Sequence, residues 1–180
     1  MEYFDVLDKN GNPTEKTKLA SEVHRDGDWH KTVHVWIVNS KGELLVQKRA
    51  PNVENYPDTW DIPSAGHISA GETSITSAMR ETEEEIGLTF KKRNFELLFT
   101  VTQQMVSKKG AYINNEFNDV YLIKSDLGLN DIKLQKEEVS EIKFIPFREL
   151  EKIVLQNDPS FVPHPEEYRK LFELLSKRYS

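Results

Sequence analysis

Cysteine is missing altogether from the 180 residues. That excludes disulfides, thiolate metal sites and a thiol nucleophile, and leaves the redox compartment open. No stretch approaches 18 consecutive apolar residues, so no membrane-spanning helix is expected. The opening MEYFDVLDKNGNP has no basic segment followed by an apolar run, and no signal peptide is visible in it. These absences predict a cytoplasmic chain with no membrane partner. Positive charge is also in short supply: 24 Lys and Arg stand against 30 Asp and Glu, a net charge of −6. Such a balance speaks against unassisted binding of a nucleic acid polymer. Internal repeats and low-complexity segments are absent as well.

What is present suits one folded domain spanning residues 1–180. Hydrophobic residues make up only 37%, yet 9 Phe, 3 Trp and regular apolar runs argue for a real core. Tyr3–Leu7 reads as a short strand ended by the turn signal Asn10-Gly11-Asn12-Pro13. Val33–Val38 is β-branched and aromatic. Asn39-Ser40-Lys41-Gly42 then turns the chain into Glu43–Gln47, which together predicts a β-hairpin within an N-terminal unit of residues 1–50. Three prolines between Pro51 and Pro63 indicate a loop. Phe95–Val101, Val120–Ile123 and Ile142–Phe147 read as further strands, and residues 165–180 as a last helix. That helix opens with Pro165 and two glutamates and closes with Lys177 and Arg178, charges that suit the helix dipole. Helices interleave with strands, so an α/β fold follows.

The most informative stretch is Gly66 to Leu88, GHISAGETSITSAMRETEEEIGL. With a helix from Thr73 to Ile86 and Glu81 set at 0°, Glu85 falls at about 40° and Glu84 at about −60°. Ile75, Met79 and Ile86 fall on the other side as an apolar stripe, with Thr82 at its edge. Like charges at these spacings repel by roughly 0.2–0.5 kcal/mol per pair, and Arg80 offers one nearby positive charge. A bound divalent cation removes the repulsion, and several hard oxygen ligands suit Mg²⁺ or Mn²⁺ rather than zinc.

The same stretch resembles the Nudix box, G-x5-E-x7-R-E-U-x-E-E-x-G-U with U bulky and aliphatic. Gly66, Glu72, Arg80, Glu81, Glu84, Glu85, Gly87 and Leu88 fall in register, and Thr82 is the one departure. The resemblance implies a Nudix fold, a mixed β-sheet sandwiched between α-helices. It implies hydrolysis of a small-molecule diphosphate, a nucleoside diphosphate linked to another group. Glu81, Glu84 and Glu85, with a backbone carbonyl near Gly66, would ligate the metal. Arg80 would orient the carboxylates, and Glu72 would support the loop. For the general base, Glu81 is one candidate, and Glu137, Glu138 and Glu141 are others. Paired subunits are common in such folds, which leaves a homodimer open.

WHKTVHVWIVNSKGELLVQKRA followed by YPDTWDIPSAGH is similar to the isopentenyl diphosphate isomerase branch of the superfamily. By that likeness His30 and His67 fall at two metal-binding histidines, His24 lies one residue out of spacing, and Glu116 matches an acid/base glutamate. Two departures count against isomerisation. Ala65 stands where the branch has its catalytic cysteine, and Asn114 where it has a second metal-binding glutamate. The reading is therefore an isomerase-like scaffold carrying hydrolase chemistry, with Glu116 a further ligand or base. A module that binds nucleotides without cutting them is disfavoured by the intact glutamates. Tyr56, Trp60, Phe99 and Tyr112 are candidates to stack on a substrate ring or to fill core and rim.

Overall fold

The structure, a computed structural model, describes residues 1–107, 112–135 and 137–179. Its hub is β3 (Trp29–Val38), ten residues in which odd and even side chains face opposite layers. One edge of β3 pairs in parallel with β8 (Ile113–Lys124) along its whole length, from Trp29 beside Asn115 to Val38 beside Lys124. β7 (Phe95–Val106) continues the sheet as the antiparallel partner of β8.

The other edge of β3 is shared. β1 (Tyr3–Leu7) meets it at Trp29, and β6 (Ser64–His67) pairs with Thr32–Val35. β4 (Glu43–Arg49) meets it only through Val38 and Leu44. The expected hairpin is thus correct at its turn, where the Asn39 N–H donates to the Glu43 carbonyl. Beyond the turn the two strands splay: β4 runs instead along β9 (Val139–Pro146) and touches β5 (Trp60–Asp61). The splay leaves room for β6 beside β3, and β6 opens the Gly66–Leu88 segment. β2 (Pro13–Leu19) pairs with β1 at the far edge.

Two helical layers cover the sheet. Val33, Val35, Ile37, Tyr121 and Ile123 pack beneath α2 (Ser74–Ile86), against Ala78 and Ile86. Trp36, Val38, Val120 and Leu122 face the opposite layer, where α3 (Phe147–Leu155) and α4 (Pro165–Arg178) bury Leu150, Leu171, Phe172 and Leu175. Ser180, the last residue of the expected C-terminal helix, lies outside the described residues. α1 (Ala20–Asp26) packs Val23 with Phe4 and Val6 near the start of β3. The mixed sheet between helices is the α/β sandwich expected.

On the α3–α4 side the apolar face stops halfway. The even positions of β3 run His30, Thr32, His34, Trp36, all buried, and those of β8 run Asn114, Glu116, Asn118, Val120. Half of one sheet face is therefore a buried polar surface. Thr32 Oγ1 donates to Asn118 Oδ1 at 2.8 Å, and Asn118 Nδ2 to Gln103 Oε1 at 3.1 Å, which satisfies its middle. The groups at its two ends are arranged differently.

Candidate active site

Thr73 caps α2 by accepting the Thr76 N–H, and Gly87 ends the helix at φ 68°. The helix thereby aims its carboxylates at β6. Arg80 is their common partner: Nη1 donates to Glu81 Oε1 at 2.6 Å and to Glu84 Oε2 at 3.4 Å, and Nη2 donates to Glu72 Oε2 at 3.1 Å. Nη2 also donates to the His67 backbone carbonyl at 3.1 Å, tying the helix to β6. Glu72 is braced by the Ser77 hydroxyl at 2.6 Å. Glu85 accepts the Ala65 N–H at 3.2 Å.

The three box glutamates are not equivalent. The Glu84 side chain is 57% exposed, against 12% for Glu81. Burial pushes the Glu81 carboxyl up to about 7, despite the opposing pull of Arg80. Burial, reinforced by the charge of Glu81, holds Glu85 well above the usual carboxylate range. Half-buried carboxylates that resist ionisation are what a cation would relieve. Gly66 fits the same geometry, because a Cβ there would overlap the Glu81 carboxylate. Thr82 lies fully inside rather than at the stripe's edge, its hydroxyl satisfied by the Ala78 carbonyl at 2.7 Å. Glu83 is exposed and accepts from Thr89.

At one end of the polar half-face, His24, His30 and His67 each offer a ligand atom within 4.8 Å of the others. Their rings surround Phe4, with His30 and His67 stacked on it at 5.2 and 4.5 Å. His30 Nδ1 donates to the Asp28 carbonyl at 3.1 Å, which leaves its Nε2 with a lone pair. Nε2 of all three histidines is buried and has no hydrogen-bond partner among the described residues, and the same holds for Asn114 Oδ1. Burial lowers His30 to about 4 and His67 to about 3, so near neutrality both rings are uncharged. Glu116 Oε1 lies 3.8 Å from His30 Nε2 and 3.6 Å from His67 Nε2. An orphaned buried acceptor costs about 1–3 kcal/mol. Three neutral nitrogens beside one carboxylate are a donor set that fits a first-row transition metal. His24, one residue out of spacing in the sequence, is brought in by α1.

At the other end, His34 Nδ1 donates to Glu167 Oε2 at 2.7 Å, and Trp36 Nε1 to Glu167 Oε1 at 2.7 Å. Beside them His164 Nε2 donates to Asp61 Oδ1 at 2.9 Å. Burial opposes charge on His34, Asp61 and Glu167. Even so, Glu167 holds His34 above the usual imidazole range, while His34 and His164 hold Glu167 and Asp61 below that of carboxylates. Sequence reasoning passed over His164, Glu167 and Asp61. The one local signal was His164 three residues before Glu167 at a helix start.

Of the remaining candidates, Glu137, Glu138 and Glu141 are exposed, and Glu138 is near enough for its charge to raise Glu85. Tyr112 stacks on His24 at 4.3 Å. Tyr56 is exposed, Trp60 packs on Phe161 under Lys143, and Phe99 is partly buried beneath Lys170.

Residues 28–165 match the family described as the NUDIX domain. The chain is 48% identical over 182 residues to Nudix hydrolase 3 of Arabidopsis thaliana; the match takes in 98% of this chain and 24% of that protein, so the chain spans about a quarter of that relative. An uncharacterized Nudix hydrolase of Listeria innocua is 36% identical over 164 residues, 91% of this chain and 90% of its own. An isopentenyl-diphosphate Delta-isomerase of Pectobacterium atrosepticum is 26% identical over 174 residues, 96% of this chain and 88% of its own. The fold matches a crystal structure from Deinococcus radiodurans with a TM-score of 0.70 at 18% identity, covering 99% of this chain and all of that one.

Proposed function

Since the chain belongs to the NUDIX domain family, we propose that it is a divalent-metal-dependent pyrophosphohydrolase acting on a nucleoside diphosphate linked to another group. The observation that carries this reading is the Arg80-bridged carboxylate face of α2, with Glu81 and Glu85 half-buried against β6 and Gly66 leaving Glu81 space. A diphosphate repels an incoming water, and Mg²⁺ or Mn²⁺ bound by such oxygens supplies charge neutralisation and a more acidic water. In this reading Glu81, Glu84, Glu85 and the backbone at Gly66 hold the ion, and Arg80 fixes the carboxylates' directions. Hydrolysis forms one P–O bond to the water oxygen and breaks the bridging P–O bond, and the water's proton needs an acceptor. Glu81 and the later-loop Glu137, Glu138 and Glu141 are the candidates for that acceptor. A panel of nucleoside diphosphate derivatives, assayed for phosphate products with Mg²⁺, with Mn²⁺ and with excess chelator, tests the reading. Equal turnover with chelator would sink it. Tight nucleotide binding without products would favour a non-catalytic module.

A second reading draws on the convergence of His24, His30 and His67 beside Glu116, which supports an isomerase-like metal centre. We assign a transition metal to it, with Glu116 as a fourth ligand or a base. Ala65 and Asn114 remove a thiol and a carboxylate from the same face, so conversion of isopentenyl diphosphate to its dimethylallyl isomer is expected to stay at the no-enzyme level. Conversion above that level would restore the isomerase reading.

A further inference from the structure

The cluster of His34, His164 and Glu167 belongs to neither assignment above. It is built from a central strand and the start of α4, and each residue presents a ligand atom within 4.8 Å of the other two. All three are buried. The outer atoms are already engaged: His164 Nε2 with Asp61, and Glu167 Oε1 with the Trp36 indole. That leaves His164 Nδ1, buried and without a partner among the described residues, together with Glu167 Oε2 and His34. An imidazole that gives one N–H to a carboxylate while its other nitrogen stays free is the arrangement that outer carboxylates impose on metal-ligating histidines. Charge points the same way. Asp61, Glu167 and Glu116 are three buried carboxylates around this spot, and Arg49, bonded to Asp61 at 3.4 Å, is the fixed cation beside them. His164 also lines two cavities of about 290 and 440 Å³, which share Tyr56, Pro163 and Pro165 in their walls.

We propose that His34, His164 and Glu167 form a second nitrogen-rich metal site, for Zn²⁺ or a similar first-row divalent ion, with Asp61 orienting His164. Two imidazoles among three ligands disfavour Mg²⁺ and separate this site from the carboxylates of α2. At ligand distances of about 2.0–2.1 Å, tetrahedral donors stand roughly 3.3 Å apart. The 2.7 Å contact between His34 and Glu167 therefore opens by about 0.6 Å, and the ion replaces the proton now shared there. A fourth position is left for water or for a group entering from the cavities.

Co²⁺ is the probe, because nitrogen-rich four- or five-coordinate Co²⁺ absorbs visibly whereas octahedral carboxylate and water sites are nearly colourless. The chelator-stripped chain carrying His24→Asn and His67→Asn, which dismantles the other histidine cluster, is titrated with Co²⁺. One coloured equivalent is expected, lost on adding His164→Asn or His34→Gln. Asp61→Asn, which keeps all three ligands, should weaken uptake roughly 10–100-fold. No coloured equivalent in the doubly substituted background would overturn the proposal, as would uptake indifferent to both His164→Asn and Asp61→Asn. Circular dichroism confirms folding of each variant. If His164→Asn does not fold, the Asp61→Asn affinity decides. Because the readout is metal uptake rather than turnover, its failure leaves the hydrolase reading standing, and the converse also holds.

Discussion

The two polar clusters flanking β6 solve opposite problems. At α2, three carboxylates, those of Glu72, Glu81 and Glu84, crowd one guanidinium, partly open to water, and the difficulty is too much negative charge in too little space. On the sheet face, His24 and His30 are buried and His67 half-buried, burial disfavours charge on them, and the difficulty is Nε2 lone pairs with no partner among the described residues. An oxygen-rich, repulsive site favours a hard cation, and a nitrogen-rich, dry one favours a softer ion. The two clusters therefore differ in chemistry although α2 and β3 both adjoin β6.

Glu85→Gln attacks this contrast where the effect is largest. It keeps size and helix propensity while removing a charge and an oxygen ligand. Turnover should fall by orders of magnitude, because charge stabilisation at the phosphate supplies several kcal/mol of the barrier lowering. The melting temperature of the chelator-treated protein should hold or rise, since the repulsion from the charge of Glu81 is relieved. A loss under tenfold would move the reaction off α2.

Gly66→Ala comes next. Its Cβ collides with the Glu81 carboxylate, so that carboxylate must move and its bond to Arg80 is disturbed. A loss of at least tenfold in turnover is expected, with Mn²⁺ binding measured by calorimetry weakened in parallel. Intact Mn²⁺ affinity would show that Glu81 is not a ligand.

The histidine side is probed by acid. His30 has a folded value of about 4 against about 6.5 in the unfolded chain. The unfolded chain therefore takes up the proton first, and stability complete above pH 6.5 declines as pH falls toward 4. At about 1.4 kcal/mol per unit, the loss by pH 5 is on the order of 2 kcal/mol, or about 5 °C in melting temperature. His30→Gln in chelator-treated protein should flatten that slope, and an unchanged slope would place the buried charge elsewhere. The smallest effect is expected at Glu83→Gln, which lies off the carboxylate face and should leave turnover within a few-fold. Losses matching those at Glu85 would mean that the wrong face of α2 has been assigned.

The two clusters also differed in how far the sequence disclosed them. Everything on α2 lies within 23 consecutive residues, so helical periodicity alone placed Glu81, Glu84 and Glu85 opposite Ile75, Met79 and Ile86. The sheet face draws on α1, β3, β6 and β8. Its lower strand half, Asn114–Asn118, was invisible because residues lining a polar site cannot also be the alternating apolar ones that announce a strand. α1 is seven residues with no side-chain cap, too weak a signal to read. α3 was hidden behind the strand preceding it, although Phe147 and Leu150 carried a helical spacing.

The pairing of β3 with β8 has a consequence in time. Trp29 meets Asn115 and Val38 meets Lys124, each across 86 positions of chain. Such long-range parallel contacts form slowly and late. During synthesis the carboxylate helix is complete soon after residue 88, whereas Glu116 and Asn114 join the histidines only once β8 has left the ribosome and docked. A nascent chain thus presents its carboxylates early and its histidine pocket last.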